Sequence, residues 1–206
     1  MTPRDPGRFR SDERRAALDF AGAVQVAFEF LVVGRGFRLV RSEPTLVRYE
    51  SEPLFVNVFH GRGSYEVGVE IGILGDEETE RHPFSLGELM RLEDAEAAER
   101  FRRPQISSDR LALAGAVREQ SRLFWRLAEP LLAGKPGVVE RLRTERRAAT
   151  ERYFREQELD RVRREAERAW QEKDHARLVE LYRSIEDALT EVEAKRLAYA
   201  SKRLNP

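Results

Sequence analysis

The sequence predicts an α+β fold, and three observations carry that prediction. Tyr65, Val67, Val69, Ile71 and Ile73 alternate with Glu66, Gly68, Glu70 and Gly72, the period-two pattern of a strand with one buried face. Upstream, Ala17, Phe20, Val24, Ala27, Phe28 and Leu31 recur at intervals of three and four, which is one face of a helix. Downstream, Leu111, Ala114, Val117, Ser121, Phe124, Trp125, Ala128, Leu131 and Leu132 form a wide apolar stripe at the same spacing. Helical faces on both sides of an alternating stretch describe helices packed on an antiparallel sheet.

Residues 1–10 hold two prolines and a glycine and little to bury, so they read as a loose tail. Ser11 or Asp12 can cap a first helix over Asp12–Val33, which Gly34 and Gly36 stop. Four strands follow: Phe37–Arg41, Thr45–Glu50, Leu54–Phe59 and Ser64–Leu74. The turns between them carry Glu43-Pro44, Glu52-Pro53 and Gly61-Arg62-Gly63, and connections this short make neighbouring strands antiparallel.

Gly75–Arg81 reads as an acidic loop. Ser85 and Glu88 then have the spacing of a capping box, and Phe84 and Leu89 that of a hydrophobic staple, for a short helix ending near Leu92 with a second turn through Ala98. Ser107 is the expected cap of the next helix, which Pro130 should kink or end. Gly134-Lys135-Pro136-Gly137 breaks the chain, so the expected division is an α+β domain over 11–134 and a helical region over 137–206. In that region Arg and Glu dominate a long, partly exposed helix broken near Lys173 or Asp174. A second helix carries Leu178, Leu181, Tyr182, Ile185 and Leu189, and Thr190 with Glu193 caps a third.

Composition narrows the function. The chain has 206 residues and no cysteine, so it offers no disulfide and no thiolate metal site. Its first twenty residues contain no apolar h-region, and no run is long and apolar enough for a membrane span, so a cytoplasmic location is expected. The 37 basic and 37 acidic residues cancel, which argues against a dedicated duplex binder. In the last third, arginines alternate with glutamates at pairing distance along a helix, so they neutralise each other instead of forming a phosphate stripe. Charge is unevenly placed, however. Residues 62–99 hold 11 acidic and 3 basic residues, whereas 100–135 hold 8 basic and 3 acidic ones. Attraction between these segments within the fold is the preferred reading, with a partner surface as the alternative.

The residues carry little sign of catalysis. His60, His82 and His175 have no spacing that makes a metal pair, and nothing in the sequence calls for a cofactor. Gly34-Arg35-Gly36 and Gly61-Arg62-Gly63 fit no phosphate-loop motif and are explained as turns. Glu66 and Glu70 stand about 13 Å apart along a strand, wider than a glycosidase carboxylate pair.

The second face of the fourth strand is the most informative surface. Glycine weakens a strand unless something approaches the backbone closely, so Gly68 and Gly72 mark a local bulge, a tight helix crossing, or a flat floor where a partner docks. The candidate partner-binding residues are therefore Glu66, Gly68, Glu70 and Gly72, with Asp76, Glu77 and Glu78 of the acidic stretch.

Two resemblances add to this reading. Ala166, Asp174-His175, Leu178, Tyr182 and Ile185 are similar to the packing positions of one tetratricopeptide hairpin, which implies a packed helical pair. Residues 26–92 resemble small bacterial α+β proteins of the toxin-immunity and defence-associated kind. The motif order Gly-Phe-Arg-Leu, Val-Arg-Tyr-Glu-Ser, Val-Asn-Val-Phe-His-Gly-Arg, Ser-Tyr-Glu-Val-Gly-Val-Glu-Ile-Gly and Phe-Ser-Leu-Gly-Glu-Leu carries that likeness. It implies a binding module with another protein as partner and transfers no catalytic residue. The expected function is non-catalytic protein binding. The alternatives are a metal-dependent hydrolase or nuclease with its site near His60, Glu66 and Glu70, and a helical assembly or adaptor protein acting through 137–206.

Overall fold

The computed structural model describes residues 16–204. The loose tail and the Ser11 or Asp12 cap lie outside them. The chain divides into two compact units, Met1–Glu145 and Arg146–Pro206.

The first unit is α+β. Helices α1 (Phe20–Ala27) and α2 (Glu29–Arg35) replace the single predicted helix, because Phe28 takes φ −106° and ψ 14° between them. Gly36 stops α2 at φ 70°, a left-handed conformation that costs glycine no Cβ clash. Then come β1 (Arg38–Glu43), β2 (Leu46–Ser51), β3 (Leu54–His60) and β4 (Val67–Ile73) as an antiparallel meander. The meander was legible strand by strand. The fifth strand was not: β5 (Phe84–Ser85) pairs with β4 through Glu70 and Ser85 and through Ile71 and Phe84. β4 also starts later than expected. Tyr65 takes φ 54°, and the 61–66 turn closes when Gly61 N–H donates to the Glu66 carbonyl at 2.8 Å. At the other edge the β1–β2 register shifts between Leu39 and Arg41, which leaves Val40 as an extra residue.

The acidic stretch is a short helix, α3 (Glu77–Arg81), and not a loop. The Asp76 carboxylate accepts the Thr79 N–H at 2.8 Å and caps it. Helix α4 (Leu86–Arg91) opens on the predicted capping box: Ser85 N–H donates to Glu88 at 2.8 Å, and Glu88 N–H donates to Ser85 Oγ at 3.4 Å. Helix α5 (Ala95–Arg100) follows. The cap of α6 (Arg110–Leu132) is Asp109 in place of Ser107; its carboxylate accepts from Leu111 N–H and Ala112 N–H. Pro130 falls inside the last turn of α6, and the helix stops two residues later. One face of the sheet, with Val47, Tyr49, Val56, Val58, Val67, Val69 and Ile71, is buried against α1 and α6 in a single core. Ser121 of α6 donates to the Ala27 carbonyl at 2.6 Å and pins α6 to α1.

Gly134 to Gly137 ends a helix but does not end the unit. Helix α7 (Val138–Glu172) starts after it, and Val138 and Leu142 are buried in the first unit's core. The division between units therefore falls within the α7 sequence, at residue 145, and not at the glycine-proline break. In the second unit, Val162, Ala166 and Ala169 of α7 share a core with Leu178, Val179, Leu181, Tyr182 and Ile185. These belong to α8 (His175–Ser184) and the residue after it. After a short 3-10 turn, α9 (Glu191–Leu204) adds Ala200 to that core. Thr190 and Glu193 make the predicted box, with Thr190 N–H donating to Glu193 at 2.7 Å.

Candidate functional site

The second face of the sheet has its own construction. On β3, Phe55 stands opposite Gly72, and Phe59 stands opposite Gly68. Each ring lies over its glycine so closely that a Cβ on either glycine would meet ring carbon at 2.3 Å. At Gly72 the Thr79 carbonyl of α3 also approaches to 3.0 Å of that position. The close approach predicted for these glycines is thus an aromatic side chain from the neighbouring strand, joined at Gly72 by a helix carbonyl. The glycines are buried under these rings and form no open floor.

Guanidinium groups lie over the rings in turn. Arg48 sits 3.9 Å from the Phe55 ring centre and pairs with Glu50 at 2.8 Å. Arg103 sits 5.5 Å from the Phe59 ring centre and approaches Glu66 at 3.7 Å. The face is therefore three deep at two points: glycine, phenylalanine, arginine. Glu66 and Glu70 remain half-buried at its margin, beside half-buried Asn57 and Phe59.

The acidic candidates divide. Arg143, on the first turns of α7, reaches both Asp76 and Glu78, the latter at 3.2 Å, and also Glu140 at 2.8 Å. The Thr79 N–H and hydroxyl, then Arg143, hold the Asp76 carboxyl below the usual carboxylate range. Glu77 is exposed and pairs along its own helix, with Arg81 at 2.6 Å. Asp76 and Glu78 are thus tied to the start of α7, Glu66 lies near Arg103, and Glu77 and Glu78 are the most exposed of the acidic candidates.

His60 is not part of this face. It pairs with Val67 in the ladder and lies on the core side of the sheet, 1% exposed. Its ring stacks on Phe20 at 5.7 Å, and its Nε2 is 2.8 Å from the Ile106 carbonyl. Glu66 and Glu70 point the other way, by the alternation of β4. The sheet itself separates the imidazole from both carboxylates. Among the described residues, no group of three His, Asp or Glu side chains is placed to hold a metal ion.

The second unit contains a feature the sequence reading did not single out. Trp170, Lys173, His175, Tyr199 and Arg203 line a cleft of about 730 Å³. Their chain positions span the α7–α8 junction and the far end of α9, so no local motif announces them. The signal available was His175 following a lysine and an aspartate at a helix break, with Trp170 one turn before.

Compared with protein-family models, with curated proteins and with solved structures, the chain matches none. No helix among the described residues is long and apolar enough to cross a membrane.

Proposed function

We propose that the protein is a non-catalytic protein-binding module that presents the second face of its sheet to a cationic partner surface. The observation that carries this reading is the asymmetry of the sheet. One face is buried beneath helices, while Arg48, Glu50, Asn57, Phe59, Glu66 and Glu70 on the other stay half-exposed. The buried Phe55 ring beneath Arg48 holds the centre of that face in a fixed shape, and ordered side chains lose less entropy when a partner docks. Its margin beside β4 and α3 is acidic at Glu66, Glu70 and Glu77, which selects a basic partner. The resemblance to toxin-immunity and defence-associated proteins makes an immunity or defence-system partner the specific form of this proposal.

The test is a charge reversal. A protein retained from source cells by the wild type and lost by the Glu66→Arg, Glu70→Arg double variant supports the assignment, provided both chains melt alike. Unchanged retention sinks it.

A second reading, assembly through residues 137–206, is favoured by Tyr153 and Phe154. They are 57% and 66% exposed and pack edge to face at 5.8 Å on the outside of α7. Exposed aromatic pairs of this kind suit an interface. Light scattering that gives a monomer mass at high concentration removes this reading.

A further inference from the structure

We propose that the cleft between Trp170, Lys173, His175, Tyr199 and Arg203 in the second unit binds a nucleotide, with its planar ring against the aromatic walls and its phosphate on Lys173 and Arg203. The lining contains three rings, two cations and no carboxylate. Trp170 and Tyr199 meet edge to face at 5.7 Å, and His175 and Tyr199 do so at 5.8 Å. A cationic ligand is disfavoured by charge, because Arg196 lies 5.0 Å from the Trp170 ring centre and Arg203 lies 5.3 Å from the Tyr199 ring centre. Arg196 is neutralised by Glu167 at 2.6 Å. Lys173 and Arg203 have no carboxylate partner among the described residues, so their charge is available to an anion. A lone phosphate would leave the rings unused, and an apolar ligand would leave the cations unused. The volume of about 730 Å³ lies within the usual range for small-molecule sites.

The backbone supports the same assignment. Lys173 ends α7 in the left-handed conformation, φ 60°, where glycine is the ordinary choice. Asp174 N–H donates to the Ala169 carbonyl at 2.9 Å across it, and the Asp174 carboxylate is occupied by the Arg177 N–H at 3.0 Å. A lysine is thus held at the cleft in a conformation that disfavours any side chain, and strain of this kind gathers at ligand sites.

The test is calorimetric titration of the full chain with adenosine 5′-monophosphate, adenosine and inorganic phosphate. The expected result is binding of the nucleotide at least about tenfold tighter than either fragment. Lys173→Gly, which suits the local backbone, should weaken it at least about fivefold with no loss of melting temperature. Tyr199→Ala should weaken it as well. No nucleotide binding at millimolar concentration overturns the proposal. So does equal binding of phosphate and nucleotide, or unchanged affinity in Lys173→Gly. A 5′-phosphorylated oligoadenylate separates two sources of the same chemistry. Tighter binding than the mononucleotide identifies a strand end, and equal or weaker binding a free nucleotide.

Discussion

The Phe55 ring lies across Gly72, and a methyl group on that glycine would stand 2.3 Å from the ring edge. Phe55 is fully buried, and the Thr79 carbonyl blocks the other direction at 3.0 Å. Gly72→Ala therefore overpacks a site with no slack and should cost roughly 1–3 kcal/mol in urea unfolding. Gly68→Ala meets only the half-exposed Phe59 ring, which can swing toward solvent. There the entropy gained by replacing glycine offsets most of the strain, and the change should stay within about 1 kcal/mol. Equal effects at both positions would contradict the difference in confinement.

Tyr49 gives an alkaline test. Its ring is buried in the core, its hydroxyl has no hydrogen-bond partner among the described residues, and burial pushes its pKa up to about 12. The folded pKa lies above the unfolded value, so the protein keeps this contribution below pH about 10 and loses it as pH rises toward 12. Tyr49→Phe removes an unsatisfied buried group. It should be neutral to about 1 kcal/mol stabilising at pH 7 and should flatten the alkaline loss. A clear destabilisation at pH 7 would mean that the hydroxyl is satisfied.

Asp76 gives the acid test. Its carboxyl is held low by the Thr79 N–H and hydroxyl and by Arg143, so its contribution is present above the unfolded carboxylate pKa and disappears as pH falls through the lower folded value. Asp76→Ala loses the cap of α3 as well and should cost about 1 kcal/mol at neutral pH. Asp76→Asn keeps a capping oxygen and loses only the charge, so it should cost less and show a shallower acid limb. Thermal melts from pH 7 to pH 2 separate the two.

Leu142 tests where the first unit ends. It is 1% exposed in that unit's core, beyond the glycine-proline break. Leu142→Ala should cost about 2–5 kcal/mol and act on the sheet-bearing unit. Amide exchange resolves this: β3 and β4 should lose protection. Exchange that changes only in α8 and α9 would place Leu142 with the other unit.

The four meander strands and the two capping boxes were legible because each depends on residues within a few positions, whereas the aspartate caps of α3, α5 and α6 were not singled out. The Gly61–Gly63 turn, Ser85 with Glu88, and Thr190 with Glu193 are local chemistry. What else escaped depends on residues far apart. β5 is only Phe84–Ser85, too short for any alternation to show. The cover over Gly68 and Gly72 comes from another strand, and the Asp76 pairing comes from Arg143, 67 positions away. His60 and Glu66 looked like neighbours in sequence, yet strand parity sends them to opposite faces. The cleft residues come from three helices, and their convergence is a property of tertiary packing alone.

The extra residue at Val40 has a consequence for how copies of this protein behave in crowded solution. A straight outer strand would be a template on which another copy could add its own strand without end. Here the bulge breaks the even spacing of amide and carbonyl groups, and the Arg41–Glu43 pair at 2.8 Å places two charges just beyond it. At the opposite edge β5 offers only two residues to a newcomer. Both margins of the sheet are thus poor templates for a further strand, one by its bulge and charges and the other by its shortness.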